Sequence, residues 1–340
     1  GGLGDVAGAL PKALHRLGHD VRLVMPRYRA IDPRRAGLRA VLGAWSVSVG
    51  GRAHEVGVWE GTLPDAPVPI YFIEQPQLFD REGLYQQAGV PGPTQHAGAG
   101  DFPDNLERFS LFSQAALEAM PRLGWTPEIV HCHDWQTALI CAHLALTLAA
   151  DPFWRESRTL LTIHNLAYQG VFPRTGWPLT NLPEAAFDRG GLEFYGKINC
   201  LKGGLVSANL LTTVSPTYAA EIQTREFGCG LDGVLIERRQ DLSGILNGID
   251  VDEWNPETSP CLPAHYSAGA LAGKSICKLR LQEQQRLPKR PGLLIGMVQR
   301  LAEQKGIDLL LGAMDALLRL PIQLVILGTG EPVYHARLAA

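Results

Sequence analysis

No two cysteines in this chain stand in a C-x-x-C arrangement; the six, at 132, 141, 200, 229, 261 and 277, are scattered. That spacing excludes a zinc ribbon or a disulfide framework and suits the reduced thiols of a cytosolic protein. Long apolar runs are missing too. None reaches the roughly 18 residues that a membrane-spanning helix needs. Charge of one sign is not in excess: Lys and Arg total 31 against 34 Asp and Glu, a net charge of −3. The bulk electrostatic case for nucleic acid or an anionic membrane surface therefore fails. There is no internal repeat and no low-complexity tract. What remains is 340 residues, 46% hydrophobic and 19% charged, an ordinary globular composition with length for about two domains. The chain opens without an initiator Met or a signal peptide, inside a glycine motif, and closes after a strand and a Gly-Thr-Gly turn. It reads as a piece lacking both ends.

The opening motif is Gly1-Gly2-Leu3-Gly4-Asp5-Val6-Ala7-Gly8. Glycine permits positive φ and close approach to a bound group. Val6, Leu10, Ala13, Leu14 and Leu17 follow at helical spacing, so a ligand loop feeding a helix N-terminus is expected, a place suited to phosphate. Asp5 falls where loop becomes helix, able to cap it or to bond sugar hydroxyls; a plain glycine-rich connector with Asp5 as N-cap is the other reading. A dinucleotide fingerprint fails. Gly2, Gly4 and Gly8 give G-x-G-x-x-x-G, one residue too long, and Asp20 opens the next strand rather than closing it.

Further along, β–α alternation predicts a parallel sheet. Strands are expected at 21–25, 70–73, 129–133, 159–163, 210–214 and 242–246, with a hairpin at 41–60 about Gly50-Gly51. Helices are expected at 105–123, 136–148 and 196–208, and one started by Pro216. The Gly- and Pro-rich span 83–104 reads as a mobile loop where a long substrate could pass. Residues 250–290, with prolines at 256, 260, 263 and 288, read as a linker before a second β–α–β unit at 293–327. The domains expected are thus 1–248, a linker at 249–290, and 291–340 as the start of another domain.

In open parallel sheets ligands bind at the carboxyl ends of strands. Those positions hold Asp134, His164, Asn165, Asn247, Arg300 and Lys305. Carboxylate, amide and imidazole groups suit sugar hydroxyls, which donate and accept. Arg and Lys ahead of a helix suit a diphosphate. His131 and His133 share one strand face, but no further ligands stand at zinc-like spacing, so no metal is expected.

The motifs then converge on one family. Gly-Gly-Leu-Gly-Asp-Val at 1–6, His-Asp-Trp at 133–135, Thr-Ile-His-Asn-Leu-Ala-Tyr-Gln-Gly at 162–170 and Leu-Lys-Gly-Gly-Leu at 201–205 resemble bacterial glycogen (starch) synthases. So do Thr-Val-Ser-Pro-Thr-Tyr-Ala at 213–219, Leu-Asn-Gly-Ile-Asp at 246–250, Trp-Asn-Pro at 254–256 and Arg-Leu-x-Glu-Gln-Lys-Gly at 300–306. The resemblance implies an α/β fold of GT-B type, two Rossmann-like domains facing a cleft, the second only partly present. It implies retaining transfer of glucose from ADP-glucose to the non-reducing 4-hydroxyl of an α-1,4-glucan in the cytoplasm, with no cofactor. Gly1, Gly2, Gly4, Arg300 and Lys305 would meet the diphosphate. Asp5, Asp134 and His164 would act at the reacting sugar, with Asn165 and Asn247 as sugar contacts. Phe102 stands where the family carries Tyr, so the hydroxyl of a sugar contact is lost. The family's Lys-Thr and later Glu-Pro-Cys-Gly-Leu are absent, so a piece of this length is expected to be inactive alone. A synthase with another donor, a non-catalytic glucan-binding homologue and a nicotinamide-dependent oxidoreductase are the competing readings.

Overall fold

Apolar periodicity and turn chemistry place most elements where sequence spacing predicts them. In the computed structural model, residues 2–86 and 101–339 are described, and the chain divides into two compact units with their boundary between Gly248 and Ile249. The first unit begins α1 (Gly2–Arg16), β1 (Leu23–Pro26), β2 (Arg39–Val49), β3 (Arg52–Thr62), β4 (Pro69–Glu74) and the short α2 (Pro76–Phe79). It continues with α3 (Asn105–Arg122), β5 (Ile129–His133), α4 (Asp134–Leu146), β6 (Arg158–Ile163), β7 (Val171–Pro173), β8 (Glu193–Phe194) and β9 (Lys197–Asn199). It closes with α5 (Cys200–Ser207), β10 (Leu210–Thr213), α6 (Pro216–Glu221), α7 (Asp232–Glu237) and β11 (Leu242–Gly244). The second unit holds α8 (Ala272–Gln284), β12 (Leu293–Val298), α9 (Ile307–Leu318), β13 (Ile322–Leu327) and α10 (Pro332–Ala339).

Two four-stranded sheets organise the first unit, in the orders β1-β4-β3-β2 and β11-β10-β6-β5. The second is parallel throughout, with His133 opposite Thr162, and Thr213 opposite both Ile163 and Gly244. All four carboxyl ends therefore share one edge. β2 and β3 are joined by Gly50-Gly51, at φ 57° and 79°, the two left-handed positions of a tight hairpin turn. α3 buries Leu106, Phe109, Phe112 and Met120 in the core that α4 and both sheets share. The second unit has β12 and β13 in parallel register from Leu293 opposite Ile322 to Val298 opposite Leu327.

Two local expectations are corrected. Gly2–Gly8 is not a loop before a helix; α1 already runs from Gly2, and none of Gly2, Gly4 and Gly8 takes positive φ. The apolar stripe explains this, because Leu3 and Val6 extend the spacing of Leu10, Ala13 and Leu14 backward. Asp5 in the first turn suits the positive end of the helix. The helix expected at 196–208 starts only at Cys200, because the Asn199 side chain accepts from Lys202 N at 2.9 Å and caps it there. Residues 197–199 instead pair with β7 and β8. The loop expected at 83–104 falls largely on 87–100, outside the described residues; its two ends pair at Gln86 and Asp101.

Candidate active site

The carboxyl edge of β5 and β6 holds a cluster built from neighbouring strand ends. β5 ends at His133, and Asp134 follows with φ 55°, a left-handed conformation that Asp adopts more readily than most residues. This turn directs the Asp134 carboxylate to β6 rather than to its own helix, whose N-cap His133 makes no side-chain cap. Asp134 Oδ1 accepts from His164 N at 2.8 Å and from Asn165 N at 3.5 Å. The two strand ends are thus tied together by one buried carboxylate. Burial raises the Asp134 pKa to about 6, and the two backbone donors offset only part of that. Asp134 is therefore mostly ionised at neutral pH.

Three imidazoles adjoin it. The His131 and His133 rings lie with centroids 4.2 Å apart, and those of His133 and His164 5.2 Å apart. His133 Nδ1 and His164 Nε2 are 3.0 Å apart and share a hydrogen bond. His131 Nε2 bonds Thr162 Oγ1 at 2.7 Å, which in turn bonds Thr212 Oγ1 at 2.6 Å across β6 and β10. Burial lowers all three histidines, His131 to about 4, so each ring is neutral at pH 7. His164 Nδ1 is buried with no hydrogen-bond partner. Among the described residues no group of three or more His, Cys, Asp or Glu is placed to hold a metal ion.

The loop after His164 is pinned from several sides. Asn165 Oδ1 accepts from Ala167 N at 3.0 Å, and Tyr218 Oη accepts from Leu166 N at 3.1 Å. Gln169 Nε2 donates to the carbonyls of Leu166 and Cys229, while its Oε1 accepts from Asn199. Gly170, at φ 62°, lets the loop close against Trp135: a Cβ there would lie 2.4 Å from the indole. Tyr218 and Gln169 are parts of this site that residue-by-residue reading missed, although both lie inside quoted motifs. The Lys-Gly-Gly of 202–204, by contrast, is packing. Lys202 Nζ donates to the carbonyls of Arg189 and Glu193 at 2.7 and 2.6 Å. A Cβ on Gly203 would strike Leu192, and one on Gly204 would strike Ala138.

The remaining candidates stand apart. Asn247 is exposed beyond β11, two strands from β6 on the same edge. Asp5, Gly2 and Gly4 are exposed in the first turns of α1, and no hydrogen bond joins Asp5 to Asp134 or His164 among the described residues. A Cβ on Gly2 or Gly4 would meet nothing within 4 Å; Gly1 lies outside the described residues. Phe102 sits beneath two guanidiniums, Arg108 at 4.8 Å and Arg81 at 5.2 Å from its centroid, a cation–π role that needs no hydroxyl.

In the second unit, Arg300 and Lys305 are exposed at the carboxyl edge of β12. Lys305 closes a tight turn directly before Gly306, the N-cap of α9 at φ 69°, so its ammonium adjoins a helix's positive end. The turn after β13 shares that edge: Leu301 N donates to Thr329 O and Glu331 N to Leu301 O, both at 2.8 Å. A Cβ on Gly330 would lie 2.1 Å from Leu301 O. The strand-end rule that selected Arg300 could have selected Gly328-Thr329-Gly330 as well.

A family model described as the starch synthase catalytic domain matches residues 1–237. Glycogen synthase 2 of Geobacter sulfurreducens is 47% identical over 339 residues, 99% of this chain and 68% of that protein. A glycogen synthase of Anaeromyxobacter dehalogenans is 47% identical over 341 residues, again 68% of its own length. Among solved structures, the catalytic domain of starch synthase IV from Arabidopsis thaliana, bound to ADP and acarbose, superposes with a TM-score of 0.89 at 34% identity. That match covers 100% of this chain and 67% of the other. The chain thus spans about two thirds of the length of each relative.

Proposed function

Because this chain belongs to the starch synthase catalytic-domain family, we propose that its glycogen/starch synthase activity uses ADP-glucose to extend the non-reducing 4-hydroxyl of an α-1,4-glucan with retention. The protein is a glycosyltransferase with an α/β fold of the GT-B class. In the reaction the bond from glucosyl C1 to the diphosphate oxygen breaks and a bond from C1 to the acceptor O4 forms. The acceptor's proton passes to the departing phosphate. Charge therefore collects on the diphosphate, and groups near it must accept or neutralise that charge.

The observation that carries this reading is the Asp134–His164 tie. The carboxylate fixes the His164 backbone at 2.8 Å and holds the neutral ring with Nδ1 buried and unpartnered, a polar atom left for a ligand. His164 and Asp134 act beside the transferred sugar, with Asp5, Asn165 and Asn247 as hydroxyl partners. Arg300 and Lys305, exposed beside a helix N-terminus, bind the diphosphate together with Gly1, Gly2 and Gly4. Packing does not demand glycine at 2 and 4; close approach of a ligand does. The ADP that accompanies the Arabidopsis relative supports the donor assignment. We assign 1–248 to the acceptor-side domain, 249–290 to the linker, and the residues from 291 to the nucleotide-sugar domain. The compartment is the cytoplasm, in keeping with the lack of any helix long and apolar enough to cross a membrane among the described residues.

The test is incubation of the whole gene product with maltooligosaccharide and a panel of nucleotide-glucoses, following chain growth and the anomeric configuration of the new linkage. Extension from ADP-glucose, with an α-linkage, is expected. Extension from another donor alone would identify a related synthase. Glucan binding without transfer from any donor would identify a non-catalytic homologue.

A further inference from the structure

The geometry points to His133 as a positioning residue that donates through Nδ1 to His164 Nε2 and thereby leaves the His164 Nδ1–H as a donor toward the reacting sugar-phosphate. The inference rests on the role proposed above for His164 and goes beyond it by assigning a tautomer and the residue that sets it.

The two rings meet through one hydrogen bond of 3.0 Å. Each neutral imidazole carries a single N–H, so that bond takes one proton from one ring only. If His133 supplies it, the His164 proton sits on Nδ1. If His164 supplies it, Nδ1 is a bare lone pair. The reaction decides between them. The group that must be stabilised is a diphosphate oxygen gaining negative charge, and a lone pair aimed at it would repel it, whereas an N–H stabilises it. His164 Nδ1 is also the one ring nitrogen of His164 with no partner in the fold.

His133 is itself held for this task. It lies on β5, its ring stacked at 4.2 Å on His131, and His131 is anchored to Thr162, which is bonded to Thr212 at 2.6 Å. The row crosses three adjacent strands, so the ring cannot swing without breaking contacts on each. Asp134 fixes the other coordinate, the height of the His164 backbone. One neighbour sets where His164 is, and the other sets which nitrogen bears its proton. Such tautomer control by a second residue is worth about tenfold or more in rate where it has been isolated.

The test compares His133→Phe, which keeps a ring on His131 but has no donor, with His133→Asn, whose amide can still donate, and with His164→Ala, all in the whole gene product. His133→Phe is expected to lower kcat about tenfold or more with KM for donor and glucan nearly unchanged. His133→Asn should recover most of that loss. Ring 15N shifts of His164 should report the proton on Nδ1 in the parent protein and in His133→Asn, and a move toward Nε2 in His133→Phe. Wild-type kcat in His133→Phe, equal damage from Phe and Asn, or an unchanged His164 tautomer would each overturn the inference. If His164→Ala is inactive while His133→Phe is not, only the positioning role falls; if His164→Ala turns over normally, the underlying reading of His164 falls with it.

Discussion

A buried carboxylate that must be ionised to work is destabilising, and Asp134 shows how that cost arises. Its pKa stands at about 6 against an ordinary 3.8, chiefly because burial penalises the charge. A carboxyl raised in the folded state stabilises the fold fully below about pH 4, and that contribution is lost as pH rises through about 6. Above that window the difference is on the order of 3 kcal/mol. Asn fits the same left-handed backbone and its amide oxygen can still accept from His164 N. Asp134→Asn should therefore raise the unfolding free energy at pH 7.5 by a few kcal/mol at most, with the gain fading below pH 4, and should lower kcat by an order of magnitude or more. Denaturant melts at pH 4 and 7.5 beside kinetics would check this; a gain independent of pH would refute the electrostatic account. Asp134 and His164 were legible as strand-end residues, but their tie was not. Reading along the chain made Asp134 a helix cap, and only the register that puts His133 opposite Thr162 brings its carboxylate to the neighbouring strand.

Elements respond differently according to why their glycines are there. In α1, Gly4 has neither positive φ nor any atom within 4 Å of an added Cβ. Alanine should therefore stabilise the helix by roughly 0.5–1 kcal/mol. If the glycine serves close approach of the diphosphate, Gly4→Ala should at the same time raise KM for ADP-glucose several-fold; a variant that is stabilised and kinetically unaltered would remove Gly4 from the donor site. Gly170 is the opposite case. At φ 62° and with the Trp135 indole 2.4 Å from a new Cβ, Gly170→Ala should cost about 2–4 kcal/mol and lower kcat as the 164–170 loop shifts, measured by thermal melts and turnover on one preparation. Spacing located β5 and β12 at their observed ends, since continuous apolar runs bounded by polar residues have little freedom there. It failed at α1 and α5. In the first, glycine signalled a loop while the apolar stripe ran on; in the second, a single Asn199 side chain outweighed the periodicity that continued past it.

For the whole molecule, the polar groups divide by what holds them. Those of the first unit are built into the fold: Asp134 is buried, and His131 and His133 are bonded across strands. Arg300 and Lys305 in the second unit are exposed, and neither forms an ion pair or side-chain hydrogen bond among the described residues. A charge that the fold neither uses nor neutralises costs little to remove, whereas the same charge beside a helix N-terminus is what a departing diphosphate needs. Arg300→Ala and Lys305→Ala should accordingly leave the melting temperature within a degree or two while each lowers kcat roughly 100-fold with ADP-glucose. Lys305→Arg should lose less than Lys305→Ala, because a cation remains, though its planar fork differs from an ammonium. Melting curves and initial rates on the same variants would decide between the two roles. A large drop in stability without a matching loss of turnover would make these residues structural and would move diphosphate binding elsewhere on the carboxyl edge of β12 and β13.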